Sequence, residues 1–236
     1  MHKLALIALG GLAVSAMALG AAAAIAGHDN KDIDLGFMVD RPACHFDLAG
    51  QTASRSIPWD GSETVSVAVP ADAKYQRGNA DAVTVSGDAN VIAHVRVREG
   101  KIEMDCREWH HDGGRMAITL PGRTFTKFGL AGSGSMTLDG IDQPELKLGV
   151  AGSGDITATG KTSKLEIGIA GSGRMHLGQL AANDVNLKVA GSGNTEIAPS
   201  GDLSVHIAGS GKVHLLTEPK HIETKIAGSG EIFHGQ

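Results

Sequence analysis

The four letters Ala-Gly-Ser-Gly occur six times in this chain, beginning at Ala131, Ala151, Ala170, Ala190, Ala208 and Ala227. Successive copies lie 20, 19, 20, 18 and 19 residues apart. A near-fixed period of this size marks a solenoid, whose units bury their apolar surface only by stacking on their neighbours. The candidate structural turns are the six corners Gly132-Ser133-Gly134, Gly152-Ser153-Gly154, Gly171-Ser172-Gly173, Gly191-Ser192-Gly193, Gly209-Ser210-Gly211 and Gly228-Ser229-Gly230.

The flanks say what the unit is made of. Of the 30 positions five, three and one before each motif alanine, and two and four after its last glycine, 26 are apolar. The exceptions are Thr126, Thr195, Thr224 and His234, and among the 24 interleaved positions only Phe233 is a large apolar residue. Strict alternation on both sides of a glycine corner means a strand entering and a strand leaving, with one face inward and one in water. A helix needs a period of about 3.6, which is absent. The segments between units, "DGIDQPE", "TGKTSK", "GQLAAND", "APSGD" and "LTEPKH", carry the residues of turns and are expected to be loops. The expected fold is all-β: a single-stranded β-helix, or β-solenoid, of about six GSG-cornered coils stacked ~4.8 Å apart. Glycine at the corners supplies positive φ values. The corner serines would form a ladder, their hydroxyls bonding a neighbouring coil or their own turn. A catalytic serine would need a base recurring beside it, and none does. The stretch Gly154 to Thr162 resembles a phosphate loop but has one residue too many between its glycines and no helix after it.

The first 26 residues read differently: His2 and Lys3 precede an uncharged run from Leu4 to Ala26. A basic start, an apolar middle, and Ala24 and Ala26 at the −3 and −1 positions describe a secretory leader cut before Gly27. Residues 27–44 form an N-terminal extension, and the mature protein is expected to be exported, to the periplasm, the cell surface or the medium, with no membrane span after cleavage. Only Cys44 and Cys106 remain. In an oxidising compartment such a pair forms a disulfide, two buried thiols being the alternative. The formal charge is −5 and there is no Lys/Arg run, so nucleic acid is not an expected partner. Aromatic residues make up 3%, which weakens a sugar- or base-stacking surface.

With the corners assigned to architecture, function must lie in outward columns such as those of Lys188 and Glu196. Three residues past the last corner glycine stand Thr137, Thr157, His176, Glu196, His214 and Phe233. His176, Glu196 and His214 on successive coils form a donor set for Zn²⁺ or Cu²⁺. A flat strand surface gives poor tetrahedral geometry, however, and a solvated polar column is the plainer reading, so no metal or cofactor is assigned. His110 and His111 are adjacent, and neighbours on a strand point opposite ways.

Residues 45–125 are also β-like but less regular. "ETVSVAVP" (63–70), "AVTVSGDANVIAHVRVREGKIEMDC" (82–106) and "RMAITLPG" (115–122) alternate, with a hairpin at Glu99-Gly100. They are expected to form irregular first coils or a cap over the open end of the ladder. The run "VTVSGDANVIAHVRVREGKIEMD", then "ITLPGRTFTKFGLAGSGSM", then the repeated "IAGSG" followed by alternating apolar residues, resembles the bacterial family described as "putative auto-transporter adhesin, head GIN domain" over about residues 45–234. That resemblance implies an exported β-helix similar to the pectin-lyase-like fold, a role in cell adhesion, and no known catalytic residues. The expected domain is therefore a solenoid over 45–236, with the regular repeats from 126 onward. Its expected partner is a protein or glycan at the cell envelope, or a second copy through the solenoid ends. An alternative from fold analogy is a polysaccharide-active, lyase-like enzyme.

Overall fold

The computed structural model describes residues 50–106 and 115–235. The leader, the extension, Cys44, His110 and His111 lie outside the described residues. Strand makes up 70% of the structure and helix 2%, in a β-solenoid of about 5 turns. The turn count is one lower than the six expected coils because six corners bound only five complete circuits.

The regular part runs from β8 (Lys127–Gly132) through β9 (Ser135–Gly152), β10 (Asp155–Gly171) and β11 (Arg174–Gly191). It continues through β12 (Asn194–Pro199), β13 (Asp202–Gly209), β14 (Lys212–Leu215), β15 (His221–Gly228) and β16 (Glu231–His234). Neighbouring coils pair in parallel, in register across each motif: Ala151 lies opposite Ala170, Ala170 opposite Ala190, and Ala190 opposite Ala208. In β9, buried residues come in three groups: Met136 and Leu138, then Ile141, then Leu146, Leu148 and Val150. Alternation breaks at Asp139-Gly140, at Pro144-Glu145 and at the GSG motif, where two adjacent residues are outward. Each break is a corner, so every regular coil has three faces.

The expected loops are the main correction. "DGIDQPE", "TGKTSK" and "GQLAAND" are not loops but the third face, with Lys161 paired to Asp142 and Ala181, and Thr162 to Gln143 and Ala182. Their turn-forming residues sit at bends inside strands that the ladder holds extended. The one-residue differences in spacing are absorbed there as register shifts, between Ala158 and Gly160 and between Thr157 and Thr159. The last two connections, at Ser200-Gly201 and over residues 216–220, are not strand, although the N–H groups of Ser200, Gly201, Leu216 and Lys220 still donate to the preceding coil.

The two glycines of a corner act for different reasons. Only the first has positive φ, for example Gly152 at 122° and Gly191 at 123°. The second is buried, and a Cβ on Gly154 would lie 2.7 Å from Leu130 Cδ2 and 2.9 Å from the Gly134 carbonyl oxygen. The serine between them is exposed, and its backbone N–H continues the ladder: Ser153 donates to Gly132 O at 2.9 Å and Ser172 to Gly152 O at 2.8 Å.

Upstream, β1 (Thr52–Pro58), β2 (Thr64–Val67), β3 (Ala71–Gln76), β4 (Ala82–Asp88), α1 (Ala89–Ile92), β5 (Val95–Arg98), β6 (Lys101–Met104) and β7 (Met116–Thr119) form the expected irregular coils and cap. β2 and β3 make a rung under β8 and β9, with Val65 opposite Phe128 and Ala73 opposite Met136. β6 and β7 make the next rung out, although they follow β2 and β3 in sequence. β5 and β4 then pair antiparallel with that rung, and β1 antiparallel with β4. Glu99 (φ 50°) and Gly100 (φ 72°) make the expected hairpin between β5 and β6, both positive as a tight two-residue turn requires. The stretch 82–106 is not β throughout. Asp88 accepts a hydrogen bond from the Asn90 N–H at 3.0 Å and starts α1, which turns the adjacent Val91 and Ile92 both inward as alternation could not.

The interior of the cap is aromatic. Phe125 packs edge-on to Trp59, Tyr75 and Phe128 at centroid distances of 5.3, 6.0 and 5.5 Å. Farther along, the buried polar side chains are Thr162, whose hydroxyl donates to Pro144 O and Lys164 O, and Thr195, whose buried hydroxyl oxygen has no hydrogen-bond partner. Thr195 occupies the inward column of Met175 and Val213. Thr195→Val keeps the shape and removes the orphaned hydroxyl, so it should raise stability by about 1 kcal/mol in chemical denaturation. Among the described residues no helix is long and apolar enough to cross a membrane.

Candidate functional site: the lateral face before the glycine corner

Because coils stack in register, any outward position becomes a column along the solenoid. On the face leading into the corner, one column runs Gly129, Gly149, Gly168, Lys188, His206, Lys225. Its first half has no side chains, and nothing lies within 4 Å of where a Cβ on Gly149 would be. Its second half is three cation-forming side chains. Two shallow depressions follow this column, one over the glycines and one over Lys188, His206 and Lys225, both bordered by the corner alanines.

The column beside it reads Lys127, Lys147, Glu166, Asn186, Ser204, Glu223. Lys147 bonds Glu166 at 2.9 Å and Lys164 lies 3.3 Å from the same carboxylate. The Lys147 bond, against some burial, holds the Glu166 carboxyl below its ordinary value. Burial, aided by the Lys147 charge, lowers the ammonium pKa of Lys127. Glu223 is held low by its bond to Lys225, 2.8 Å away. Lys188 has no ion-pair partner among the described residues, and the buried Nε2 of His206 has no hydrogen-bond partner. The strip is thus bare of side chains at one end, where Lys127 borders it, and at the other it offers Lys188, while Lys225 is already paired with Glu223.

The face after the corner is self-neutralising. Arg174 grips Asp155 through two 2.9 Å hydrogen bonds, which hold that carboxyl below its ordinary value of 3.8. Asp72 accepts from Ser135 at 2.6 Å and from Arg115 at 3.0 Å, and is lowered chiefly by the serine. The next outward column aligns His176, Glu196, His214 and Phe233 on successive coils. Glu196 leans over Gly178 and the His214 ring stacks on Phe233 at 4.8 Å. Among the described residues, the metal-type donors that converge within 4.8 Å are His94, Asp105 and Cys106 instead. Asp105 there is taken by Arg96 at 2.6 Å and by His94 at 2.8 Å. Cys106 is disulfide-bonded, so it offers no thiolate. Cys44, its expected partner, lies outside the described residues.

Chain, columns and corners together define a parallel β-solenoid with a capped N-terminal end and a regular lateral face. A family model described as "putative auto-transporter adhesin, head GIN domain" matches residues 63–219, and the chain belongs to that family. No curated protein matches it. The fold is shared with the crystal structure of a putative adhesin from Bacteroides fragilis, at 15% identity and a TM-score of 0.62, covering 81% of this chain and 100% of that one. It is also shared with a putative lipid binding protein from Parabacteroides distasonis, at 20% identity and a TM-score of 0.52, covering 81% of this chain and 99% of that one.

Proposed function

We propose that this is an exported, non-catalytic binding protein of the cell envelope that adheres through its lateral face, holding an acidic glycan along the trough. The observation that carries the reading is the column of Gly129, Gly149 and Gly168 running into Lys188, His206 and Lys225. A bare strip lets an extended chain lie close to the backbone, and the unpaired Lys188 beyond it then meets a carboxylate of that chain. Family membership supports adhesion as the role.

Lyase-like chemistry is the weaker reading. A lyase needs a free base aimed at the proton beside the substrate's carboxylate. The outer-face carboxyls of Asp72, Asp155, Glu166 and Glu223 are instead each paired with a cation and lowered. The test is retention on immobilised polygalacturonate against neutral dextran, with new unsaturated ends followed in the same samples. Wild type should bind the acidic polymer, more weakly as salt rises, without producing unsaturated ends. Lys188→Glu should weaken binding about tenfold. Equal retention of wild type and variant would remove the trough as the site.

A further inference from the structure

The two ends of the solenoid are unlike. The N-terminal end finishes in the antiparallel strands β1 and β5, whose outer edges are also unpaired among the described residues, over an aromatic interior. At the other end β15 pairs only with β13 and β16 only with β14, leaving one backbone edge of each open among the described residues. Every residue of β15 is exposed, including Ile222 (48%) and Ile226 (44%), which continue inward columns of the core.

Monomeric proteins block such edges with proline, bulges, inward-pointing charges or charged side chains, lysine above all. β15 has no proline, bulge or inward charge, and its two charged side chains, Glu223 and Lys225, are of opposite sign and bonded to each other. Its centre, Ile222-Glu223-Thr224-Lys225-Ile226, reads alike in both directions in apolarity and oppositely in charge. An antiparallel copy registered on Thr224 would place Ile222 opposite Ile226, Glu223 opposite Lys225, and Thr224 opposite itself. Glu223 and Lys225 already bond each other within one chain, so both charged groups project on the same side of the strand. A parallel or shifted copy would lose this matching. We propose that the open C-terminal end is an interface between two copies of this chain, formed by antiparallel pairing of β15 about Thr224. The contact is two-fold and isologous, so it uses the β15 edge of each copy and leaves the two N-terminal ends at the extremities. It therefore closes instead of growing into a fibre.

Sedimentation equilibrium of the chain from Gly27 onward tests this over concentrations reaching about 0.5 mM, enough to detect a Kd near ~1 mM. The expected mass is that of a dimer. Lys225→Glu and Glu223→Lys each set like charges opposite one another twice per dimer and should weaken it about tenfold or more. Mixed one to one, the two variants restore both opposite-charge pairs and should dimerise with each other. Because both side chains are exposed, unchanged circular dichroism melting will show that folding is intact. A monomeric wild type, undiminished dimers of the single variants, or a mixture that stays monomeric would overturn the proposal. So would a monomer that dimerises only when residues 27–49 are removed, since that would give the end to the chain's own N-terminal segment.

Discussion

Gly152→Ala should lower stability by about 3 kcal/mol or more in urea denaturation, among the largest effects of any single methyl group in this chain. Two costs coincide at this corner. The backbone has φ 122°, which an L side chain rarely adopts, and the added Cβ would lie 2.6 Å from the Gly132 carbonyl oxygen on the preceding coil. That oxygen accepts the Ser153 N–H at 2.9 Å, so relieving the clash would open the ladder through the corner. Gly149→Ala, three residues away in the same coil, is the control. Its φ is not in the left-handed region and nothing lies within 4 Å of the new Cβ, so the change should stay within about 0.5 kcal/mol. Equal effects at the two positions would mean that the corner is not strained in this way.

Phe128→Ala is expected to cost about 3–5 kcal/mol, at the upper end for a core truncation. The ring is fully buried, lies 5.0 Å from Tyr75 and 5.5 Å from Phe125, and pairs by register with Val65 below and Leu148 above. The surrounding aromatics are held by their own bonds, Tyr75 Oη to Arg123 O at 3.0 Å and Trp59 Nε1 to Ser62 O at 2.9 Å, so they cannot collapse freely into the void. The loss would fall where the irregular rungs join the regular ones. In a solenoid, stability passes between nearest neighbours. A fall in the urea midpoint with loss of the near-ultraviolet aromatic signal would check this; an effect below about 1 kcal/mol would show that the site repacks.

Much of the molecule was legible because period two survives wherever a face is buried on one side only. Leu146, Leu148 and Val150 repeat as Leu165, Ile167 and Ile169, and counting from the glycines is enough to place His176, Glu196 and His214 in one column. The third face was missed because Gly160, Pro144 and Asn183 carry the composition of turns, and a short parallel segment flanked by bends offers too few positions for alternation to show. The order of rungs at the cap was also hidden: β2 and β3 lie between strands that follow them in the chain, and nothing local encodes that insertion. The trough had a signal, since the residues two before each motif alanine are three glycines and then Lys188, His206 and Lys225. Their significance needed the knowledge that the intervening strands keep strict register.

The coil-to-coil bonds at each corner are the same throughout, from Ser153 N to Gly132 O up to Ser229 N to Gly209 O. The cap can therefore be followed by more or fewer circuits without altering either extremity. Gain or loss of one repeat would move the C-terminal edge by a single step of about 4.8 Å, while each lateral column gains or loses one residue. Reach and the length of each column thus change together and only in whole steps, which makes repeat number a setting for how far the protein extends and how many outward groups each face presents.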